Sequence, residues 1–274
     1  MIKKIFILIL LTTPLLICGR EYSFIGNNSS KNVNKIMTKQ LIVKKVISKV
    51  LSPDATQIDS LLDNANVCYN PIDVVNWQDY DYEANVKFRM AYSDTEIYLQ
   101  FLVKERDLKA VYDKDSLSRP YTDSCCEFFL SPYPADSLNN SYFNLEINCI
   151  GIGTFAYHSP NEQTIHFGSD IMSQIRRTSS LGNKALGIIN GKENENFEWK
   201  LTIAIPLSLY NLDNISGLDN ISGLDKISGQ TFRGNFYKCG DDMPKRHYLS
   251  WNPIGTPKPN FHTPQFFGNI YFEK

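Results

Sequence analysis

An all-β fold, a β-sandwich of jelly-roll-like type with long irregular loops, is what three observations predict. Apolar and polar residues alternate with period 2 through several short runs, as half-buried strands require. The chain of 274 residues holds 15 Tyr and 16 Phe, an aromatic content that suits sheets. Turn residues recur between the runs, and stretches with helical period are few. One domain, residues 40–274, accommodates all of these runs.

Residues 1–18 read as an export signal. Lys3 and Lys4 form its charged start, and an apolar stretch of roughly 13 residues follows, where a membrane span needs about 20. Residues 15–18, LLIC, resemble a bacterial lipobox in which Cys18 is lipidated and becomes the mature N-terminus. Simple secretion is the alternative. Either route exports the chain, to the periplasm or to the outer membrane and cell surface, with membrane contact only through a lipid anchor on Cys18. Residues 19–39, rich in Asn, Ser and Lys, read as a flexible tether.

Residues 40–50 suit a strand or a short amphipathic piece, and 58–66 a helical turn or loop. Trp77 reads as a core or rim aromatic. Residues 86–91 and 96–103 alternate about the turn 92–95 and form a hairpin. Residues 105–115 are charged and are expected at the surface. Gly151 and Gly153 mark a bulge or a close approach before the strand 155–158. Residues 163–196 are polar and irregular. Residues 197–205 alternate with Phe197, Trp199, Leu201, Ile203 and Ile205 on one face, and Pro206 ends them. The tandem hexapeptide over 212–229 (LDNISG, LDNISG, LDKISG) is too short for a solenoid and lengthens a surface loop. Residues 232–239, 248–251 and 269–273 supply the last strands, separated by a turn at 241–244 and a Pro-rich loop presenting Phe261 and His262.

Two stretches carry the chemistry. Residues 119–132, RPYTDSCCEFFLSP, place Tyr121 in a loop and Glu127 inside an apolar strand. Residues 142–149, YFNLEINC, alternate Asn144, Glu146 and Asn148 with Leu145, Ile147 and Cys149. If the two strands are neighbours, Glu127 and Glu146 share a face. A polar face flanked by aromatics suits a sugar, whose C–H faces stack on rings and whose hydroxyls need fixed partners. A structural carboxylate bonded to loop amides or to Arg89 is the competing reading of Glu127. A net charge of −1, from 28 basic and 29 acidic residues, argues against nucleic acid as a partner. Of six cysteines, five follow Cys18, and no C-x-x-C offers a zinc motif. The pattern sets Cys126 and Cys149 on the core side, as buried thiols or as a disulfide.

These segments together resemble the family 9 carbohydrate-binding modules. The shared features are FRMAYSDTEIYLQFLV, DSCCEFF after an aromatic loop, FNLEINCIG, EWKLTIAIP and SWNP…FHTPQFFGNIYFE, spanning roughly 41–274. The resemblance implies a β-sandwich that binds without cleaving. It implies a terminal sugar, often the reducing end of a plant polysaccharide, held between two tryptophans. Tyr121 and Phe261 stand at those positions, with Glu127 as the hydrogen-bonding carboxylate and Glu146 and Asn148 as further polar contacts. Glu146 falls where the family uses an arginine. The implied partners are plant- or host-type polysaccharides and their oligosaccharides. No cofactor is called for; the resemblance leaves room for a structural calcium ion, although no EF-hand-like ligand string is present.

Three other functions compete. A glycosidase would use Glu127 and Glu146 as its carboxylate pair, but no hydrolase motif surrounds them. Haem ligation would draw on Met90, Met243 and the four histidines, whose spacing shows no ligand pattern. An envelope protein with a degenerate sugar site would bind a protein partner or serve structure alone.

Overall fold

The alternating runs of the sequence form the longest strands of the computed structural model, which describes residues 22–23, 38–116, 118–135, 139–160, 163–192, 195–211 and 227–274. The export signal with Cys18, most of the tether and the hexapeptides up to residue 226 lie outside the described residues. Nine described strands have five or more residues. They are β1 (Thr38–Lys45), β2 (Asn85–Tyr92), β3 (Glu96–Glu105), β4 (Cys125–Pro134) and β5 (Tyr142–Asn148). Then come β6 (Gly153–His158), β7 (Phe197–Pro206), β8 (Thr231–Cys239) and β9 (Gly268–Phe272).

Their order across one continuous ladder is β6-β5-β4-β8-β9-β1-β2-β3-β7. Pairs β9–β1 and β1–β2 are parallel, and the other neighbours are antiparallel. The ladder curls on itself, so its two halves face each other as a β-sandwich. Phe88 of β2 stacks on Phe236 of β8 across the gap, with ring centroids 3.7 Å apart. Phe128, Phe143 and Phe155 of one half and Leu99, Phe101, Leu201 and Ile203 of the other fill the layer between.

Each half has an outer face, and each is covered differently. Helix α1 (Ala55–Asn64) lies on the β2–β3–β7 half and buries Ile58 and Leu62 against Ala91, Tyr98 and Ala204. The sequence predicts a helical turn or loop over 58–66, and the helix starts earlier and runs longer. A capping box makes it a helix: Asp54 accepts from the Gln57 amide at 2.8 Å, and Gln57 accepts from the Asp54 amide at 2.9 Å. Arg89 points to this side and pairs with Asp63 and Gln100, so it does not serve Glu127.

Residues 105–110 are not the surface that the charge of 105–115 predicts, while Val111, Asp113 and Lys114 are exposed as expected. Glu105, Asp107 and Lys109 are buried, and Leu108–Ala110 pairs with Gly187–Ile189. Each charge has a partner that makes burial tolerable. Lys109 donates to the Thr122 carbonyl, the Gly191 amide donates to Asp107, and Glu105 accepts from the Trp199 indole at 2.8 Å. Lys238 of β8 sits 2.9 Å from Glu105 of β3, both without solvent exposure, and so ties the two halves together. Cys126 and Cys149 are buried on the core side as expected, but both are free thiols rather than a disulfide.

The Lys238–Glu105 pair predicts an asymmetry in stability. Lys238→Met alone strands a buried carboxylate and is expected to cost about 3–5 kcal/mol in urea denaturation. Lys238→Met with Glu105→Leu is expected to cost much less. Equal losses in the two variants would show that packing, not charge pairing, dominates at this point.

Candidate functional site

Strand β4 has two working faces. Cys126, Phe128 and Leu130 point into the sandwich, so Cys125, Glu127 and Phe129 point out. Register then sets the outward neighbours. Glu127 lies directly opposite Glu146 of β5 and opposite Tyr237 of β8. Cys125 lies opposite Cys239 of β8. This face is partly roofed by loops. Trp77, Ile254, Phe261 and Phe267 pack on Phe129, Tyr142 and Tyr237 as a second apolar cluster. The Trp77 indole donates to the Thr256 carbonyl at 2.8 Å and clips two roof segments together.

Beside that roof a cavity of about 320 Å³ remains open over the strands. Its floor is Glu127, Glu146 and Cys239, its aromatic walls are Tyr121, Tyr248 and Phe261, and Asp241, Asn260 and His262 complete it. A second cavity of about 400 Å³ adjoins it across Tyr121, Glu146 and His262, and reaches His158 and His166. The size and the mixture of rings with a few polar groups are those of a small-ligand site.

Four of the five residues singled out in the sequence meet here. Tyr121 sits in the short turn Pro120–Thr122, half-buried, and its hydroxyl accepts from Arg119 at 2.8 Å. Its carbonyl accepts from the Asp241 amide, which fixes the loop to the end of β8. The Cys239 thiol donates to Glu127 at 3.0 Å. The Asn144 amide donates to Glu146 at 2.7 Å. Phe261 is 8% exposed and lies flat on Tyr237, centroids 4.1 Å apart, so it is packing as well as wall.

Asn148 is the exception. It shares the outward face but has no exposure, and its amide donates to the Tyr112 carbonyl and to Asp123. Its own oxygen accepts from the Ile150 and Ile152 amides, shaping the bend into β6. Gly153 lies just beyond, where an added Cβ would fall 2.1 Å from the Glu146 carbonyl, the close approach its position predicts. Asn148 thus builds the bend and does not line the cavity.

Cys239, Asp241 and Tyr248 line the cavity and were not singled out. Period 2 places Cys239 on the face of Tyr237, but only the pairing of β8 with β4 sets it beside Glu127. Asp241 and Tyr248 flank a turn, and the fold alone brings them to the strand face.

Burial, and next the neighbouring Cys239 and Glu146, hold the Glu127 carboxyl well above the usual carboxylate range. Burial pushes Glu146 up to about 7, against the Asn144 amide that favours its charged form. Burial lowers His158 and His262 to about 4, so both rings are neutral at pH 7. Among the described residues, Cys125, Glu127 and Cys239 are the cluster whose ligand atoms lie close enough to share an ion, all within 4.8 Å. Two thiols and one carboxylate do not fit calcium, which takes six to eight oxygens.

The chain matches the profile described as Carbohydrate-binding family 9 over residues 56–272. A crystal structure of a Bacteroides uniformis ATCC 8492 protein, described provisionally as carbohydrate-binding, aligns at 37% identity with a TM-score of 0.76, covering 86% of this chain and 100% of that one. A family 9 carbohydrate-binding module from Caldicellulosiruptor kristjanssonii in complex with cellotriose aligns at 17% identity with a TM-score of 0.51, covering 86% of this chain and 94% of that one, and shares the fold. No match was found among curated proteins.

Glu146 gives the site a pH signature. An unfolded Glu titrates near about 4.3, and the folded group near about 7. Its contribution therefore favours the fold fully below the lower value and is lost as pH rises through the upper one. Above that, the buried charge costs on the order of 3 kcal/mol. Glu146→Gln is expected to melt higher than the natural chain at about pH 8.5 and to lose this advantage by about pH 4. A difference in melting that does not change with pH would contradict the assignment.

Proposed function

We infer that this chain, which belongs to carbohydrate-binding family 9, holds a sugar in the cavity over β4, β5 and β8. Family 9 modules are binding domains without catalysis, so the reading of this chain as a binding protein rather than an enzyme stands. The observation that carries the proposal is one of convergence. Three rings, Tyr121, Tyr248 and Phe261, surround two carboxylates, Glu127 and Glu146, in one cavity.

Each side chain has a role that its position supports. Tyr121 is half-buried and offers a stacking platform for the C–H face of a sugar. Phe261, anchored on Tyr237, is the stiffer wall. Glu127 and Glu146 each commit one oxygen to a protein donor, leaving the other for the ligand. A sugar hydroxyl can donate to either free oxygen, and to Glu146 the bond becomes the stronger, charge-assisted kind once that group ionises above about 7. The adjoining cavity beyond Glu146 and His262 leaves room for further units, which favours an oligosaccharide over a monosaccharide.

The setting follows from the N-terminus. Lys3, Lys4, the apolar run and LLIC support export and an anchor at Cys18, so the proposed role is capture of polysaccharide of plant or host origin at the cell envelope. The cellotriose complex of a module with this fold puts β-linked gluco-oligosaccharides first in the panel to be tried.

Calorimetric titration with oligosaccharides tests the proposal. Tyr121→Ala is expected to weaken binding by about 1–3 kcal/mol with an unchanged melting temperature, because the ring is half-exposed. Phe261→Ala is expected to weaken binding and lower the melting temperature together, because that ring is also packing. Full affinity in both variants would place the ligand elsewhere.

A further inference from the structure

The reading of the cavity as a sugar site leaves its charge unexplained. Neutral hydroxyls need acceptors, but not two carboxylates side by side. Glu127 is 3% exposed and Glu146 8%, and they are direct cross-strand partners. Directly opposed residues have Cβ atoms about 4.5–5.5 Å apart, so a single small group can reach both. Asp241 adds a third carboxyl to the lining.

Nothing cationic answers Glu127 and Glu146 from the protein, whereas Asp241 has the charges of Arg246 and Arg119 near it. Among the described residues, no lysine or arginine side chain lines the cavity. Lys238, the neighbour of Tyr237, points to the opposite face and is spent on Glu105. Arg119 lies against the Tyr121 ring and bonds its hydroxyl, and Arg246 donates to the Asp241 backbone carbonyl. The partners that Glu127 and Glu146 do have, a thiol and an amide, are neutral and occupy one oxygen of each. The second oxygen of each takes no hydrogen bond from the described protein, on a side chain more than nine-tenths buried whose carboxyl lines the cavity. Two buried carboxyls without a counter-charge are held toward their neutral forms because ionising them there is costly, and an occupant that supplies the charge removes that cost.

We propose that the preferred ligand is an amino sugar with a free ammonium group, seated between Glu127 and Glu146. This rests on the sugar-binding reading above and adds the ligand's class to it. An ammonium has three donors and no acceptor, so it satisfies both free oxygens at once. The electron-rich faces of Tyr121, Tyr248 and Phe261 attract a cation while they stack on the ring's C–H groups. A neutral or N-acetylated sugar presents the same ring without the charge and leaves the carboxylates unanswered.

The test is calorimetry of the full chain at neutral pH, in EDTA, with three matched β-1,4 disaccharides: cellobiose, the glucosamine disaccharide and its N-acetylated form. The free-amine disaccharide is expected to bind at least about tenfold more tightly than either neutral one, with a preference that shrinks as salt is added. Glu146→Gln and Glu127→Gln are each expected to bring the ratio of amine to neutral affinity toward one. A neutral disaccharide that binds as well as the amine overturns the proposal while leaving sugar binding in place. So does neutral-sugar binding that appears only when Ca²⁺ or Zn²⁺ replaces EDTA, since the missing cation would then be a metal. Failure of all three, and of longer oligomers, overturns both this proposal and the sugar-binding reading.

Discussion

The alternation of β4 is the constraint on which both core and site depend. One strand of ten residues sends Cys126, Phe128 and Leu130 inward and Cys125, Glu127 and Phe129 outward. A shift of one residue would put Glu127 among Phe236 and Leu145 and empty the cavity of its central carboxylate. The inward set fixes the register because the core is densely aromatic. Phe128 stacks on Phe236 at 4.8 Å, and Phe236 on Phe88 at 3.7 Å, so the two layers lock through one column of rings. The polar face is thus held in place by the apolar one.

Stability and function pull in opposite directions on the outer face. Glu127, Glu146, Cys125 and Cys239 are all buried there, and burial drives all four toward their neutral forms. A fold built for stability alone would put apolar side chains on that floor. Here the cost is offset by the rings that roof the rest of the face, Phe129, Tyr142, Tyr237 and Phe267, and by the two-layer core beneath. The other outer face shows the contrast. Helix α1 covers it, and its charged residues, Arg89 with Asp63 and Lys200 with Asp59, are paired with each other.

Legibility in the sequence followed the range of the interactions. Strands β2, β3, β5 and β7 were readable because period 2 is a local signal, and β4, β6, β8 and β9 as short apolar or aromatic runs between turns; the shared face of Glu127 and Glu146 followed once β4 and β5 are neighbours. Helix α1 was read only as a helical turn or loop from 58 because its periodic stretch is short and its decisive feature, the reciprocal Asp54–Gln57 cap, lies at its edge. The burial of 105–110 was missed because charge reads as surface, whereas Lys238 and Trp199 of distant strands and Ser124 just before β4 pair with those residues. Asn148 was placed on the right face but in the wrong role, since the bend it stabilises is a backbone matter that alternation does not encode. Tyr248 and Asp241 needed the three-dimensional return of the chain.

The account turns on one location, and a crystal structure of the chain with a bound oligosaccharide tests it most directly. It predicts a sugar ring against Tyr121, with its polar groups on the free oxygens of Glu127 and Glu146 and further units directed past His262. A sugar found instead against Trp199 and Lys200, in a separate cavity on the β3–β7 face, would contradict it.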